Sequence, residues 1–261
     1  MKKNKLQKGK VNWVGANTLF LKEIKRFFKV YQQTILAPAF TTLLFFLVIN
    51  IAIKDRVDSN INYMQFLAPG LIVMAMMQNA FANTSSSLLS SKIAGNIVDL
   101  LMPPLSNIEI IVAFTLAGIT RGIVVAVSCG LVMLPFVDVS FFSGAIIIIF
   151  AVLASAIMSL VGLISGIWAE KWDHLGTVGN FVIVPLSFLS GTFYSITVLP
   201  EKLQAASLFN PFFYMIDGFR YGFLGSSDTS IYVALNVLIF TCIILTAISY
   251  LMLLTGYKLR A

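Results

Sequence analysis

Long apolar runs separated by short polar stretches dominate the chain. Crossing the hydrocarbon core of a bilayer as a helix takes about 20 predominantly apolar residues, and six segments reach that length. They cover residues 34–53, 64–84, 108–135, 141–168, 175–195 and 231–254. The pattern predicts an all-α integral membrane protein with six transmembrane helices. Because no internal repeat is evident, we expect one membrane domain over residues 34–261, preceded by a basic segment of residues 1–33.

A different pattern precedes the first apolar run. Apolar side chains recur there at helical spacing, at Trp13, Phe20, Ile24, Phe27 and Tyr31. Basic side chains take much of the other surface, at Lys22, Lys25, Arg26 and Lys29. An apolar stripe opposite Lys and Arg is typical of a helix that lies in the membrane interface. We therefore predict an amphipathic interfacial helix within residues 1–33, on the inner leaflet.

A second amphipathic stretch follows the second apolar run, in the sequence SSSLLSSKIAGNIVDLLMPP. Its apolar stripe consists of Leu89, Ile93, Ile97 and Leu100. The serines offer N-terminal caps, and Pro103 with Pro104 ends the helical pattern. The stretch predicts a short cytoplasmic helix over residues 90–101.

The phrase NPFFYMIDGFRYGFLG, residues 210–225, lies between the last two apolar runs. Asn210-Pro211 cannot continue a helix from upstream, whereas proline is well tolerated in a first helical turn. The apolar side of the new helix would hold Phe212, Phe213, Ile216, Phe219 and Phe223, and the polar atoms would come from Tyr214, Asp217, Arg220 and Tyr221. With the short amphipathic stretch 201–209, this predicts two re-entrant helices at about residues 200–225, dipping partly into the outer leaflet.

Composition and charge support a membrane location. Hydrophobic residues make up 58% of the chain and charged residues 11%, whereas soluble domains carry roughly 25% charged residues. Nine of the 18 Lys and Arg residues lie in residues 1–33, which fits an anionic membrane surface better than nucleic acid. Because basic residues concentrate in cytoplasmic loops, we expect both termini on the cytoplasmic side of the membrane.

The residue patterns of catalysis and cofactor binding are missing. No G-x-x-x-x-G-K-[ST] motif occurs, so the chain has no P-loop of its own for ATP. The only histidine, His174, lies near Glu170 and Asp173, but a catalytic metal takes about three well-spaced ligands, so a solvated turn is the better interpretation. Cys129 and Cys242 lie inside apolar runs and are interpreted as small buried hydrophobes. We predict no catalytic residue, metal or cofactor in this chain.

One charge lies deep inside an apolar run. Arg121 is 13 positions into the third span, which places it roughly 20 Å along a helix. Burying a charge in a membrane is costly, so Arg121 should face protein or water and find a partner. A structural anchor and a role in a substrate path both remain open. Glu109, near the inner end of the same span, is expected to be solvated.

The Gly118-x-x-x-Gly122 and Gly162-x-x-x-Gly166 spacings predict close helix packing.

The phrase at residues 210–225, together with the preceding LSFLSGTFYSITVLPEKLQ, resembles the C-terminal motif of the type-2 ATP-binding cassette (ABC) transporter permeases. The sequence NYMQFLAPGLIVM at residues 62–74 resembles the motif at the start of their second span. The likeness extends over nearly the whole chain and is greatest to the small bacterial YadH-like branch. That branch is related to drug, polysaccharide and teichoic-acid exporter permeases.

The resemblance implies a permease homodimer joined to two copies of a separate ABC ATPase subunit, which binds ATP and Mg²⁺. Residues 90–101 would dock on the ATPase, with coupling residues Lys92, Ile93, Asn96 and Asp99. The interfacial helix would brace that joint. The re-entrant helices would line the exit, where Phe212, Phe213, Tyr214, Phe219 and Tyr221 close the path, within a segment that also holds Asn210, Pro211, Asp217 and Arg220. The alternative for each aromatic residue is simple lipid anchoring.

The function expected on these grounds is that of the permease subunit of an ATP-driven exporter. Its substrate would be amphipathic, lipid-linked or drug-like. The alternative is a secondary transporter or channel without an ATPase partner. Intramembrane charges for ion coupling are scarce, because Arg121 is the only ionisable residue deep in a span and no intramembrane acid accompanies it. A non-transporting scaffold has no positive feature in its favour.

Overall fold

The computed structural model describes residues 12–53, 63–137 and 141–259, and within these ranges the chain is helical with no strand. Eleven α-helices follow one another in the described residues: α1 Trp13–Lys29, α2 Ala37–Ile53, α3 Tyr63–Ile93, α4 Ile97–Leu101, α5 Asn107–Met133, α6 Gly144–Trp168, α7 Trp172–Thr177, α8 Val184–Leu189, α9 Glu201–Leu208, α10 Pro211–Leu224 and α11 Ile231–Thr255. A π-helical turn, Gln32–Leu36, leads into α2, and a second one, Val178–Ile183, joins α7 to α8.

Five helical segments of the described chain are long and apolar enough to cross a membrane. They are Gln32–Ala52, Tyr63–Ile93, Asn107–Phe136, Gly144–Trp168 and Ile231–Thr255, and they correspond to the predicted first, second, third, fourth and sixth spans. These five helical segments support the prediction of a multi-pass membrane protein.

The predicted fifth span differs from the others. Residues 175–195 fall on α7, the Val178–Ile183 turn and α8, and the helix ends at Leu189. Pro185 in the first turn of α8 has no backbone N–H to donate, which fits the change of hydrogen-bond pattern just before it. Gly191, at φ 74°, then reverses the chain. The helical run over residues 172–189 is thus shorter and less regular than the five full spans.

Glycines and serines bring the central helices close together. A Cβ at Gly122 would lie 2.6 Å from the Ser155 Oγ of α6, and a Cβ at Gly166 would lie 2.9 Å from the Leu88 Cβ of α3. The close helix packing predicted from the two Gly-x-x-x-Gly spacings is therefore confirmed. Thr84 and Ser159 share a 2.6 Å hydrogen bond between α3 and α6. Helices α3, α5 and α6 form the centre of the molecule.

The stretch over residues 90–101 is not one helix. Helix α3 continues from the membrane span to Ile93, a turn follows, and α4 begins at Ile97. Gly95 causes the break, because its φ of 71° lies in the left-handed region, which glycine adopts without a Cβ clash. The inner end of α3 and the short α4 thus replace the single cytoplasmic helix that the sequence pattern predicts.

Candidate functional site

The two motif segments that carry the family resemblance meet in the structure. Helix α10, which holds most of residues 210–225, packs against α3, α6 and α11. Every side chain from Phe212 to Arg220 is buried. The first turns of α3, which hold most of residues 62–74, form part of this contact. The region where the two segments touch is the candidate functional site.

Arg220 joins the two motif segments directly. Only 3% of the residue is exposed, and its guanidinium lies over the ring of Phe66 at 3.7 Å from the centroid, a cation–π contact. Its Nε donates to the Phe66 carbonyl oxygen at 3.2 Å. Its Nη2 donates to the carbonyl oxygens of Gly191 at 2.7 Å and Thr192 at 3.2 Å. A buried charge must be hydrogen-bonded to be tolerated, and three backbone carbonyls provide those bonds here.

Gly70 makes this close approach possible. A Cβ at that position would lie 2.5 Å from the Thr192 carbonyl oxygen and 2.9 Å from Nη2 of Arg220. The turn at residues 191–192 therefore rests directly on the backbone of α3. Close by, the Tyr63 hydroxyl donates to the Phe193 carbonyl oxygen at 2.9 Å. Tyr63 and Gly70 of α3 thus hold the turn after α8 through contacts with the backbone carbonyl groups of that turn.

Asp217 binds a different segment from Arg220, although the two residues are one helical turn apart. Its carboxylate accepts bonds from the Asp228 N–H at 3.0 Å, the Thr229 N–H at 3.2 Å and the Thr229 hydroxyl at 3.0 Å. The Asp228 carboxylate accepts in turn from the Ser195 hydroxyl at 2.7 Å and the Ile196 N–H at 3.1 Å. Asp217 therefore fixes the loop between α10 and α11, and through it the turn before α9.

Asn210 anchors the start of α10. Its side-chain oxygen accepts from the Phe212 N–H at 3.1 Å, which is an N-cap, and Pro211 follows in the first turn. The Asn210 amide Nδ2 donates to the Leu186 carbonyl oxygen at 3.0 Å and to the Ser190 hydroxyl at 2.7 Å. The residue that starts α10 thereby also binds the end of α8.

The five aromatic residues predicted at the exit lie mostly inside the protein. Phe212, Phe213, Tyr214 and Phe219 are buried, and the Tyr214 hydroxyl donates to the Leu208 carbonyl oxygen at 2.8 Å. Tyr221 is half-buried and packs edge-on against Phe142, with ring centroids 5.4 Å apart. In this structure these rings pack against neighbouring helices. Phe209, which follows α9 and was not among these five residues, is exposed.

The basic residues of α1 divide into two groups. Lys22, Lys25 and Lys29 are exposed, as expected for the polar face of an interfacial helix. Arg26 instead binds α3, because its Nη2 donates to the Asn83 carbonyl oxygen at 2.6 Å and its Nη1 donates to the Ser86 hydroxyl at 3.2 Å. The expectation that all four basic side chains take the surface opposite the apolar stripe is therefore wrong for Arg26.

Glu23 is the acidic residue that pairs with Arg26 in the contact between α1 and α3. It is buried, accepts from the Ser87 hydroxyl at 2.7 Å, and forms a 3.1 Å ion pair with Arg26. A buried charge is tolerated when it is paired and hydrogen-bonded, so the Glu23–Arg26 pair fastens α1 to α3. The i, i+3 spacing of Glu23 and Arg26 is visible in the sequence. Their partners on α3, Ser87 and Asn83, lie about 60 residues further along the chain.

The predicted coupling residues have different environments. Ile93, Asn96 and Asp99 are exposed, together with Val98. Lys92 is half-buried, and its Nζ donates to the carbonyl oxygens of Ile167 at 2.7 Å and Ala169 at 2.6 Å. These carbonyls end α6, where a cation is favourable because the last carbonyls have no helical partner. In this structure Lys92 bonds within the chain, and its contact with another protein stays a prediction.

Arg121 finds one partner among the described residues. It is 8% exposed, and its Nη2 donates to Oδ1 of Asn79 at 2.9 Å. Its Nε has no hydrogen-bond partner in the part of the chain that the structure describes. The side chain therefore faces protein, as the cost of burial requires, and it joins α5 to α3.

Glu109 has a structural role in the first turn of α5 that the sequence interpretation missed. Its carboxylate accepts from the Ser106 N–H at 2.6 Å and from the Asn12 N–H at 2.6 Å. The first bond completes a capping box with Ser106, and the second holds the start of α1. The Ser-x-x-Glu spacing is a known N-terminal signature, so the capping box could have been found from the sequence.

The last described residues fold back on the loop after α6. Lys258 Nζ lies 2.7 Å from Glu170 Oε1, and this hydrogen bond and the charge of Lys258 hold the pKa of Glu170 below its ordinary value. Beside them, the Nδ1 of His174 accepts from the Glu170 N–H at 3.3 Å. Both ion-pair partners are partly exposed, so the pair contributes little to stability.

Comparison with known proteins identifies the family of this chain. The family model described as ABC-2 type transporter matches residues 16–224. Over 251 residues the chain is 36% identical to the inner membrane transport permease YadH of Escherichia coli strain K12, covering 95% of this chain and 98% of the relative. The permease of the same name from Shigella flexneri matches equally. The resemblance seen in the two motif segments is confirmed, and the chain belongs to the ABC-2 type transporter family of membrane transport permeases.

Proposed function

We propose that this chain is the permease subunit of an ATP-driven ABC exporter in a bacterial inner membrane. Permeases of this family generally pair with an ATPase subunit. In the proposed transporter, two copies of this chain associate with two copies of the ATPase, which binds ATP and Mg²⁺. The chain itself takes no catalytic part. The proposed substrate is amphipathic, lipid-linked or drug-like.

The observation that carries this proposal is the surface formed by Ile93, Asn96, Val98 and Asp99. This surface, the α3–α4 turn surface, presents apolar and polar side chains together, as protein interfaces do. It is continuous with α3, and Lys92 binds the end of α6 just beside it. A push on this turn would therefore reach two central helices at once.

The proposed membrane arrangement has six spans, with the short helical run over residues 172–189 as the fifth. Both termini lie in the cytoplasm, so the exposed lysines of α1 face the anionic inner leaflet. Helices α9 and α10 then lie on the outer side as re-entrant helices. Export is the proposed direction.

The proposed mechanism couples ATP binding to movement of α10. Closure of the ATPase dimer pushes the α3–α4 turn surface, and α3, α5 and α6 carry the motion outward. Because Asn210, Asp217 and Arg220 bind three neighbouring segments, α10 moves with those segments as one unit. We propose that this movement, rather than rotation of single aromatic side chains, opens the exit.

ATP hydrolysis by the permease reconstituted in lipid with its candidate ATPase tests the proposal. The variant Asp99→Arg reverses a charge at the α3–α4 turn surface, and we expect weaker assembly and loss of most of the stimulated hydrolysis. Glu201→Arg reverses an exposed charge on α9, at the opposite end, and should leave assembly unchanged. Lys92 is unsuitable for this test because its replacement would also remove its hydrogen bonds to the carbonyl groups at the end of α6.

Equal assembly and hydrolysis in both variants would show that the α3–α4 turn surface is not the docking site. A permease that neither assembles with an ATPase nor alters its rate would overturn the exporter proposal. The secondary transporter or channel would then become the leading candidate.

A further inference from the structure

An apolar cavity of about 340 Å³ lies between α3, α5, α6 and α10. Among the residues that line it, Gln65 alone has a polar side chain. The others are aliphatic, aromatic, glycine or proline, and they include Ile72, Gly130 and Phe219. We refer to this cavity as the α10 pocket.

The α10 pocket lies at one end of the membrane spans. Gln65 is the third residue of α3, and Ile72 lies seven residues further along it, about 10 Å at the rise of an α-helix. The lining residue Ala151 likewise lies seven residues from the start of α6. The pocket therefore reaches from the membrane interface through roughly a third of the hydrocarbon core, which is about 30 Å thick.

The pocket opens sideways. Its lining residues Val127, Leu131 and Ile148 are 56%, 61% and 64% exposed, so we place the mouth of the pocket at these residues. Phe219 of α10, at the back, is only 3% exposed. Exposed aliphatic side chains on membrane spans face lipid, so the mouth opens into the bilayer and the back wall is shielded from it.

The surroundings determine what fills such a space. Water does not fill it stably, because apolar cavities stay dry, and an empty cavity loses the dispersion contacts of its lining. Hydrocarbon chains surround the mouth at this depth. The volume is at the lower end of the roughly 300 to 1,000 Å³ of small-molecule sites, which suits one chain and not a whole phospholipid.

We propose that one acyl chain of a bilayer phospholipid occupies the α10 pocket and packs against Phe219. The chain lies behind α10 and fills the space between this helix and the central spans. Its assignment to the outer leaflet rests on the proposed function, through the orientation given above. Occupancy itself does not depend on the ATPase partner or on the direction of transport.

Gly130 permits a matched pair of variants. A Cβ at this position would meet nothing nearer than Cδ1 of Ile72, at 4.0 Å. Gly130→Ala therefore adds one carbon without a clash and leaves most of the pocket open. Gly130→Leu places a larger side chain in the same space. Both variants replace a helical glycine by a better helix former, so they differ chiefly in how much of the pocket they fill.

Photocrosslinking measures the occupancy. The full chain is reconstituted in vesicles of phosphatidylethanolamine and phosphatidylglycerol, which contain a small fraction of phosphatidylglycerol with a diazirine near the end of one chain. Labelled peptides are then mapped by mass spectrometry. Label on Phe219 reports a chain inside the pocket, because lipid around the protein does not reach this residue. Label on Val112 of α5, which is exposed and outside the pocket, serves as the internal reference.

We expect Phe219 to be labelled in the unaltered chain and in Gly130→Ala. In Gly130→Leu its label should fall about tenfold relative to Val112, the change that corresponds to roughly 1.4 kcal/mol. Equal labelling of Phe219 in all three proteins, or none in the unaltered chain, would overturn the proposal. Leu131→Cys tests whether a second copy of the chain covers the pocket instead of lipid. Disulfide formation between two copies, without labelling of Phe219, would show that it does. Thermal unfolding of each variant in detergent confirms that it is folded.

Discussion

At the scale of single residues, Arg220 shows how a charge is retained inside a membrane protein. Its guanidinium has a planar set of donors, and three carbonyl oxygens from two segments accept from it. No shorter or less branched cation can reach these acceptors and also lie flat on the Phe66 ring. The side chain therefore works as a geometric connector between α10, α3 and the turn after α8.

Replacing Arg220 by Met should destabilise the protein strongly. The aliphatic part of the side chain is kept, but the carbonyl oxygens of Gly191 and Thr192 lose their donor, at about 1–3 kcal/mol for each buried unpaired group. We expect a clear fall in the thermal unfolding temperature in detergent. Lys202→Met likewise replaces a cation by Met, at an exposed position of α9, and should have little effect. A comparable shift in the two variants would contradict the connecting role of Arg220.

At the scale of helices, the end of the molecule that holds the start of α5 and the end of α6 is held by polar side chains between helices that are otherwise apolar. Glu23 and Arg26 fasten α1 to α3, Lys92 fastens α3 to α6, and Glu109 fastens α5 to α1. Each bond uses a charged side chain and a hydroxyl or backbone group, an arrangement that is stronger than a neutral hydrogen bond. Movement of any one of these four helices at this end of the molecule is therefore passed to the others.

The variant Glu23→Ala should release α1 from α3. Ser87 loses its acceptor and the half-buried Arg26 loses its ion-pair partner, so the contact between α1 and α3 loses its acidic group. Hydrogen exchange should become faster in α1 while the membrane part of α3 stays protected. Lys22→Ala, on the exposed side of the same helix, should leave the exchange of α1 unchanged. Unchanged protection of α1 in Glu23→Ala would show that apolar packing alone holds it.

The sequence predicted some elements better than others, for physical reasons. The five full spans could be predicted because burial in lipid imposes a long, continuous apolar run, which is a local signal. The start of α10 was equally local, since Asn210 caps it and Pro211 follows. The break at Gly95 was missed because the apolar stripe continues across it. The end of α8 was missed because apolar residues continue past Pro185, and composition does not record a change in hydrogen bonding.

The partners of the candidate site could not be predicted. Lys92 was expected to face another protein, but its acceptors are about 75 residues away in the chain. The same holds for Arg26 and for the contact of Arg220 with Phe66, which join segments that only the fold brings together. Charge and amphipathic spacing indicate which residues matter, whereas their partners depend on long-range packing.

At the scale of the whole molecule, the number of membrane crossings depends on the helical run over residues 172–189. If this run crosses the membrane, Lys171 before it and Lys202 after it lie on opposite sides. Both are exposed lysines, so Lys171→Cys and Lys202→Cys form a matched pair in a background without Cys129 and Cys242.

We expect a membrane-impermeant maleimide added outside intact cells to label Lys202→Cys and not Lys171→Cys. Opening the cells should make both cysteines reactive. Labelling of both from outside, or of neither, would show that residues 172–189 do not cross the membrane. Labelling of Lys171→Cys alone would show that the proposed orientation is reversed.

The way α10 is fastened also limits how members of the family can exchange parts. Because Asn210, Asp217 and Arg220 bind the end of α8, the loop before α11 and the start of α3, α10 cannot be transplanted alone from a relative whose neighbouring segments differ in length or geometry. A working chimera would have to carry residues 63–70, 186–196 and 210–229 together. The α3–α4 turn has fewer such ties and can be exchanged as a small module. Recombination between relatives would thus replace the α3–α4 turn more readily than α10.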